Sequence, residues 1–196
     1  MIFLCFSTRY CLAQTYKSKT VQETADSLLK ASIGDRLFPY FERDPKSKYE
    51  YAYRGKIRVA HLRRGGKTRG TLINASIGYR FQHLQFTWIK GYTQVYVDSS
   101  LKSNKEINVS FIPKAIAEGK EIFFISKGRA EELANMILKE RITKMEVQMV
   151  INDKTKDIAW QAINRLSPSR LDIIYIDPIT ENIISQELDV EYFRLH

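Results

Sequence analysis

Two hydrophobic rhythms divide this chain. Val21, Ala25, Leu28, Leu29 and Ile33 recur at helical intervals, the spacing that buries one face of a helix, until Gly34 ends the pattern. Thr20-Val21-Gln22-Glu23 has the form of a capping box, in which each side chain satisfies a free backbone amide, so a helix is expected over about 20–33. "DRLFPYFERDPKSK" follows as a connection, because Pro39 and Pro45 disfavour regular structure. From 48 to 98 aromatic and β-branched residues dominate. Leu84, Phe86 and Trp88 alternate with polar neighbours and "YTQVYVD" closes the run, which predicts about three antiparallel strands. Within them "HLRRGGKTRG", residues 61–70, sets three glycines between strand-like runs and reads as the turn of a hairpin.

A second unit opens near Ile107. Pro113 to Ala117 suits a short helix, Ser126 is a good N-cap, and Ala130, Leu133, Ala134, Ile137 and Leu138 share one face of the helix after it. Met145, Val147, Met149 and Ile151 then alternate as a strand, "NDKTKD" turns, and residues 157–166 form a strand around Trp160. "SPS" turns again, and "LDIIYID", "PITEN" and "IISQELDV" make a final hairpin. The expected class is α+β, a helix packed on an antiparallel sheet, in an N-terminal unit over 14–106 and a second over 107–196. Tyr96-Val97-Asp98-Ser99-Ser100-Leu101 answers Tyr175-Ile176-Asp177-Pro178-Ile179-Thr180, so the units read as tandem copies of one plan.

With 196 residues, 44% of them apolar, the chain has ample material for packed cores. Its net charge of +9 is unevenly placed. Between Glu50 and Asp98 there is no acidic residue, while Arg54, Lys56, Arg58, Arg63, Arg64, Lys67, Arg69, Arg80 and Lys90 supply nine positive charges. The remainder of the chain is balanced. Arg54, Lys56 and Arg58, two apart, project from one face of a strand, and Arg63, Arg64, Lys67 and Arg69 carry the charge into the turn. Such a surface attracts polyanions. The same charges would also keep an edge strand from pairing with other copies.

"MIFLCFSTRYCLAQ" starts apolar and sets Cys11 and Ala13 where a signal peptidase would inspect, so residues 1–13 read as an export signal cut after Ala13. Both cysteines, Cys5 and Cys11, would leave with it. No later run approaches the roughly 18 apolar residues of a membrane span. The expectation is an exported, periplasmic or secreted chain.

"ISKGRAEELANMILKE", "KMEVQMVINDKTKDIAWQAI" and "RLDIIYIDPITENIISQE" together resemble the PepSY domain over residues 125–187. Ile125-Ser126, Ala130, Ala134, Trp160 and Tyr175-Ile176-Asp177-Pro178 fit that family, and Asn182 stands where glycine is usual. The resemblance implies an exported bacterial protein with a small α+β fold of cystatin-like shape. It also implies a non-enzymatic role in restraining a peptidase, while the basic 54–69 surface gives binding of an anionic envelope component as the other expectation. No catalytic residue set comes with it, and none is carried over.

Gly66-Lys67-Thr68 supplies half of a phosphate-binding loop, but His61 stands where its first glycine belongs and no helical pattern follows. "NASIG" puts Asn74 in place of the first glycine of a nucleophile elbow around Ser76. His61 and His83 read as partly exposed strand residues, and Glu131, Glu132 and Glu140 as solvated helix carboxylates. No catalytic constellation, cofactor site or metal site is expected. A competing reading is an intracellular nucleic-acid binder that uses the basic 54–69 hairpin, with Tyr51, Tyr53, Tyr79 and Phe81 as stacking groups.

Overall fold

The computed structural model describes residues 16–62, 69–103, 105–139 and 142–191. The leader read over 1–13, its two cysteines, Arg63, Arg64, Lys67, Glu140 and His196 lie outside the described residues. The chain divides into two compact units, Met1–Phe111 and Ile112–His196, each an α+β arrangement with an antiparallel sheet.

The first unit opens with α1 (Ser18–Ile33), which buries Val21, Ala25 and Leu29. The helix begins two residues before the expected capping box. Lys17 is extended (φ −63°, ψ 136°) and gives no side-chain cap. Thr20 is already helical, and its carbonyl accepts from Thr24 Oγ1. Gly34 ends the helix at φ 80° and ψ 165°, a conformation open to glycine, its amide donating to the Lys30 carbonyl.

The sheet comprises β1 (Phe41–Arg43), β2 (Lys48–Tyr53), β3 (Lys56–His61), β4 (Thr71–Gln82) and β5 (Lys90–Asp98). The proline-bearing stretch expected as a plain connection holds β1 and a 3-10 turn over Phe38–Tyr40. β4 is the spine of the sheet. β5 pairs along one side of it, while β2 and β1 share the other, at residues 71–76 and 79–81. Between them Asp44 donates to the Gly78 carbonyl and the Gly78 amide donates to Ser47 Oγ, so the turn from β1 to β2 is fastened to β4. Tyr49, Tyr51, Leu72, Ala75, Ile77, Tyr79, Val95 and Val97 pack with α1, each large buried side chain contributing roughly 1.5–3 kcal/mol.

Two expectations need correction here. Leu84, Phe86 and Trp88 are not a strand but the turn between β4 and β5, with Leu84 77% exposed. The strands on either side of the 61–70 stretch do not form the expected hairpin either, because β2 lies between β3 and β4, and residues 63–68 fall outside the described residues. The tight hairpin joins β2 to β3 through Arg54 (φ 48°) and Gly55 (φ 70°), the two positive φ values of a type I′ turn.

The second unit holds α2 (Lys114–Ala117), α3 (Lys127–Leu138), and β6 (Met145–Ile151), β7 (Ile158–Ser167), β8 (Arg170–Ile176) and β9 (Ile183–Glu191) in sequential order. Ser126 Oγ accepts the Arg129 amide as the N-cap. Ala130, Ala134 and Leu138 pack on Val147, Trp160, Ala162, Ile174 and Ile176. The two alanines leave room for the Trp160 ring, whose Nε1 donates to the Ile125 carbonyl at 3.1 Å. Beyond the apolar core, buried Asn164 donates to buried Asp172, which also accepts the Asp189 amide at 2.8 Å. The two units share a helix followed by an antiparallel sheet, but the first sheet doubles back at β4 and the second does not.

Candidate functional site

The basic residues at 54–58 ride on the β2–β3 hairpin. Register places Lys56 opposite Tyr53 and Arg58 opposite Tyr51, so both cations share the face on which Tyr51 is buried. Ile57 opposite Ala52 and Val59 opposite Glu50 occupy the other face. β3 is the end of its sheet and neither face of it is covered: Ile57 is 71% and Val59 59% exposed. The strand rejoins the core only at Ala60 and Leu62, where the Leu62 amide donates to the Ser47 carbonyl. At the turn the Arg54 guanidinium lies 5.2 Å from the centroid of the Tyr53 ring, and Tyr53 is 43% exposed.

Of the seven basic residues singled out from the sequence, Arg54, Lys56 and Arg58 are therefore brought together on this hairpin. Arg69 is exposed at the entry to β4, its amide donating to the Tyr49 hydroxyl at 3.0 Å. Arg63, Arg64 and Lys67 fall outside the described residues. Among the described residues no carboxylate lies within ion-pair reach of Arg54, Lys56 or Arg58, whereas Arg80 has Asp44 at 3.6 Å.

Glu50 and Asp98, the acids that bound the carboxylate-free stretch, both lie opposite Asn74 in one row across β2, β4 and β5. Asn74 Nδ2 donates to Glu50 at 2.8 Å. Asp98 accepts the Lys102 and Ser100 amides and the Ser100 hydroxyl. Its carboxyl is held below the usual range, chiefly by the Lys102 amide. Neither acid pairs with Arg54, Lys56 or Arg58, so the field at the hairpin tip is positive.

The other sequence candidates are placed as follows. His61 ends β3 and is exposed, but His83 is buried at 2% exposure, contrary to expectation. Its Nδ1 accepts the Phe86 amide at 3.1 Å, and its ring stacks on Phe86 with centroids 5.1 Å apart. That contact explains why aromatics two apart form a turn there and not a strand. Ser76 sits inside β4, opposite Lys48 and Tyr96, not on an elbow. Glu131 and Glu132 pair with Lys127 and Arg129 on the surface of α3. Of the four aromatics considered for stacking, Tyr51, Tyr79 and Phe81 belong to the core and Tyr53 alone is exposed. Among the described residues no three His, Cys, Asp or Glu side chains converge as metal ligands, and no helix is long and apolar enough to cross a membrane.

The sequence did not disclose Ile57 and Val59 as part of the site, since β-branched residues in a strand read as core. Their one signal is that they interleave with Lys56 and Arg58, a pattern that leaves a strand no face to bury. No protein-family model matches this chain, and neither does any curated protein or solved structure.

Proposed function

We propose that this chain is a non-enzymatic, exported binding module of PepSY-like, cystatin-like shape that captures an acidic partner protein at the β2–β3 hairpin. One observation carries the reading: β3 is an end strand, open on both faces, bearing Lys56 and Arg58 with no carboxylate in reach among the described residues. Such a surface draws in negative charge and offers backbone groups for direct contact. The burial of Tyr51, Tyr79 and Phe81 argues against nucleic acid, because the stacking groups that single strands need are spent on the core. Where the PepSY likeness holds, a secreted peptidase is the first partner class to try. The apolar leader with Cys11-Leu12-Ala13 supports the exported setting.

The experiment uses polyglutamate as the acidic probe. Lys56→Glu with Arg58→Glu should leave the circular-dichroism spectrum and thermal midpoint near those of the parent and weaken polyglutamate binding about tenfold or more. Binding to the parent should also fall as salt is raised. Unchanged binding by the reversed variant would remove the hairpin as the site. Intact mass from host fractions tests the setting, an envelope or medium species starting at Gln14 being expected and a cytoplasmic species with Cys5 and Cys11 overturning it.

A further inference from the structure

We infer that the partner binds by strand addition to the free edge of β3, and that its recognised segment alternates acidic and apolar residues. This rests on the acidic-partner reading above. A strand alternates its side chains between two faces, and residues directly opposite each other in neighbouring strands share a face. A segment lying along β3 therefore sets every second side chain beside Lys56 and Arg58, and the intervening ones beside Ile57 and Val59. Carboxylates on the first face meet cations that have no other acidic partner among the described residues. Apolar side chains on the second face remove from water two residues that are 71% and 59% exposed.

The backbone supplies the affinity common to such complexes, because the far side of β3 pairs with no strand among the described residues. A second copy of this chain is the poorer occupant. Two β3 edges side by side would bring Lys56 and Arg58 of one copy against those of the other, the device by which edge strands resist self-pairing. Six residues of β3 span ~20 Å, which sets the length of the recognised segment at about six residues.

The test titrates the full chain with a labelled peptide of alternating glutamate and valine, about eight residues long so as to overhang the strand at both ends. Three competitors accompany it: a peptide of the same composition with its glutamates and valines in two blocks, N-methylated forms of the alternating peptide, and polyglutamate. The alternating peptide should bind about tenfold tighter than the block peptide. N-methylation of the amides facing β3 should abolish that advantage. Ile57→Ser with Val59→Ser should weaken the alternating peptide and leave polyglutamate unaffected. Equal binding of block and alternating peptides, or full retention by both N-methylated registers, overturns strand addition while the acidic-partner reading stands. Failure of Lys56→Glu with Arg58→Glu to weaken polyglutamate overturns that underlying reading instead. A sedimentation dimer lost on Ile57→Ser with Val59→Ser would assign the edge to a second copy and also overturn the inference.

Discussion

The phenol of Tyr79, in the stretch of β4 that pairs with β1, donates to the Asp26 carboxylate of α1 across 2.7 Å, and Arg43 reaches the same carboxylate from β1 at 3.5 Å. A tyrosine that is 1% exposed thus ties helix to sheet through one polar contact at the rim of the core. Burial first, then the hydrogen bond to Asp26 and its negative charge, push the Tyr79 hydroxyl far above its ordinary value of 10.0. The unfolded chain ionises this tyrosine near 10 and the folded chain does not, so its contribution to stability is complete below that pH and is lost as pH rises beyond it. Tyr79→Phe should cost about 1–2 kcal/mol at neutral pH, where it deletes a hydrogen bond to a charged group. It should also flatten the alkaline fall in stability above pH 10. Urea melts at both pH values check this, and an unchanged alkaline slope would contradict the assignment.

Asn152 and Asp177 close two turns of the second unit in the same way. Each side-chain Oδ1 accepts the amides two and three residues on, Lys154 and Thr155 in one turn, Ile179 and Thr180 in the other. Each turn then returns through a residue of positive φ, Lys156 at 57° and Glu181 at 62°. The geometry asks for a side-chain oxygen, not for a charge. Asp177→Asn should therefore fold with parent-like stability, and Asp177→Ala should lose about 1–2 kcal/mol because two amides lose their acceptor. Equal denaturation midpoints for the alanine and asparagine variants would refute the equivalence.

The second unit was legible in the sequence because its information is local. Ala130, Ala134 and Leu138 at helical spacing, Met145 to Ile151 alternating, and turn residues at 152, 168 and 177 each specify one element, and neighbouring strands in the chain are neighbours in the sheet. The first unit is written non-locally. Phe41-Glu42-Arg43 is a strand only because residues 79–81 of β4 are left unpaired on that side, a fact of register that no property of three residues announces. The glycines at 65, 66 and 70 suggested a hairpin between β3 and β4, whereas β2, flanked by both, decides the pairing. The charge of the site was visible from composition. That β3 would be an end strand, and so expose Ile57 and Val59, was not.

Arg54 occupies the first central position of the β2–β3 turn at φ 48°, a conformation that costs an arginine and suits asparagine. Arg54→Asn should raise the stability of the hairpin by a few tenths to about 1 kcal/mol by relieving that cost. Gly55→Val should lower it by about 1–2 kcal/mol through backbone strain alone, since nothing lies within 4 Å of the Cβ it would gain. Hydrogen-exchange rates of the β2 and β3 amides read the effect where it arises. Exchange slowed by Gly55→Val would show that the turn is not of this type.

Two glycines in the first sheet meet tight neighbours, and the neighbours differ in what they can yield. A Cβ on Gly91 would fall 2.0 Å from Cδ2 of Phe111, whose ring is wedged against Phe81 at 5.7 Å and Phe41 at 6.4 Å. A Cβ on Gly78 would fall 3.1 Å from the Cβ of Asp44 and 2.2 Å from the hydroxyl of Tyr92, which accepts from Gln94 Nε2 at 3.3 Å but ends a side chain that is 49% exposed and can swing away. Gly91→Ala should therefore cost about 1–3 kcal/mol, the range for forcing a packed ring out of place, and Gly78→Ala less than about 1 kcal/mol. Thermal midpoints of the two variants decide the comparison. A Gly78→Ala penalty as large as that of Gly91→Ala would mean that Tyr92 is fixed across the sheet, and that the open face of β4 and β5 is a packed surface in spite of its exposure.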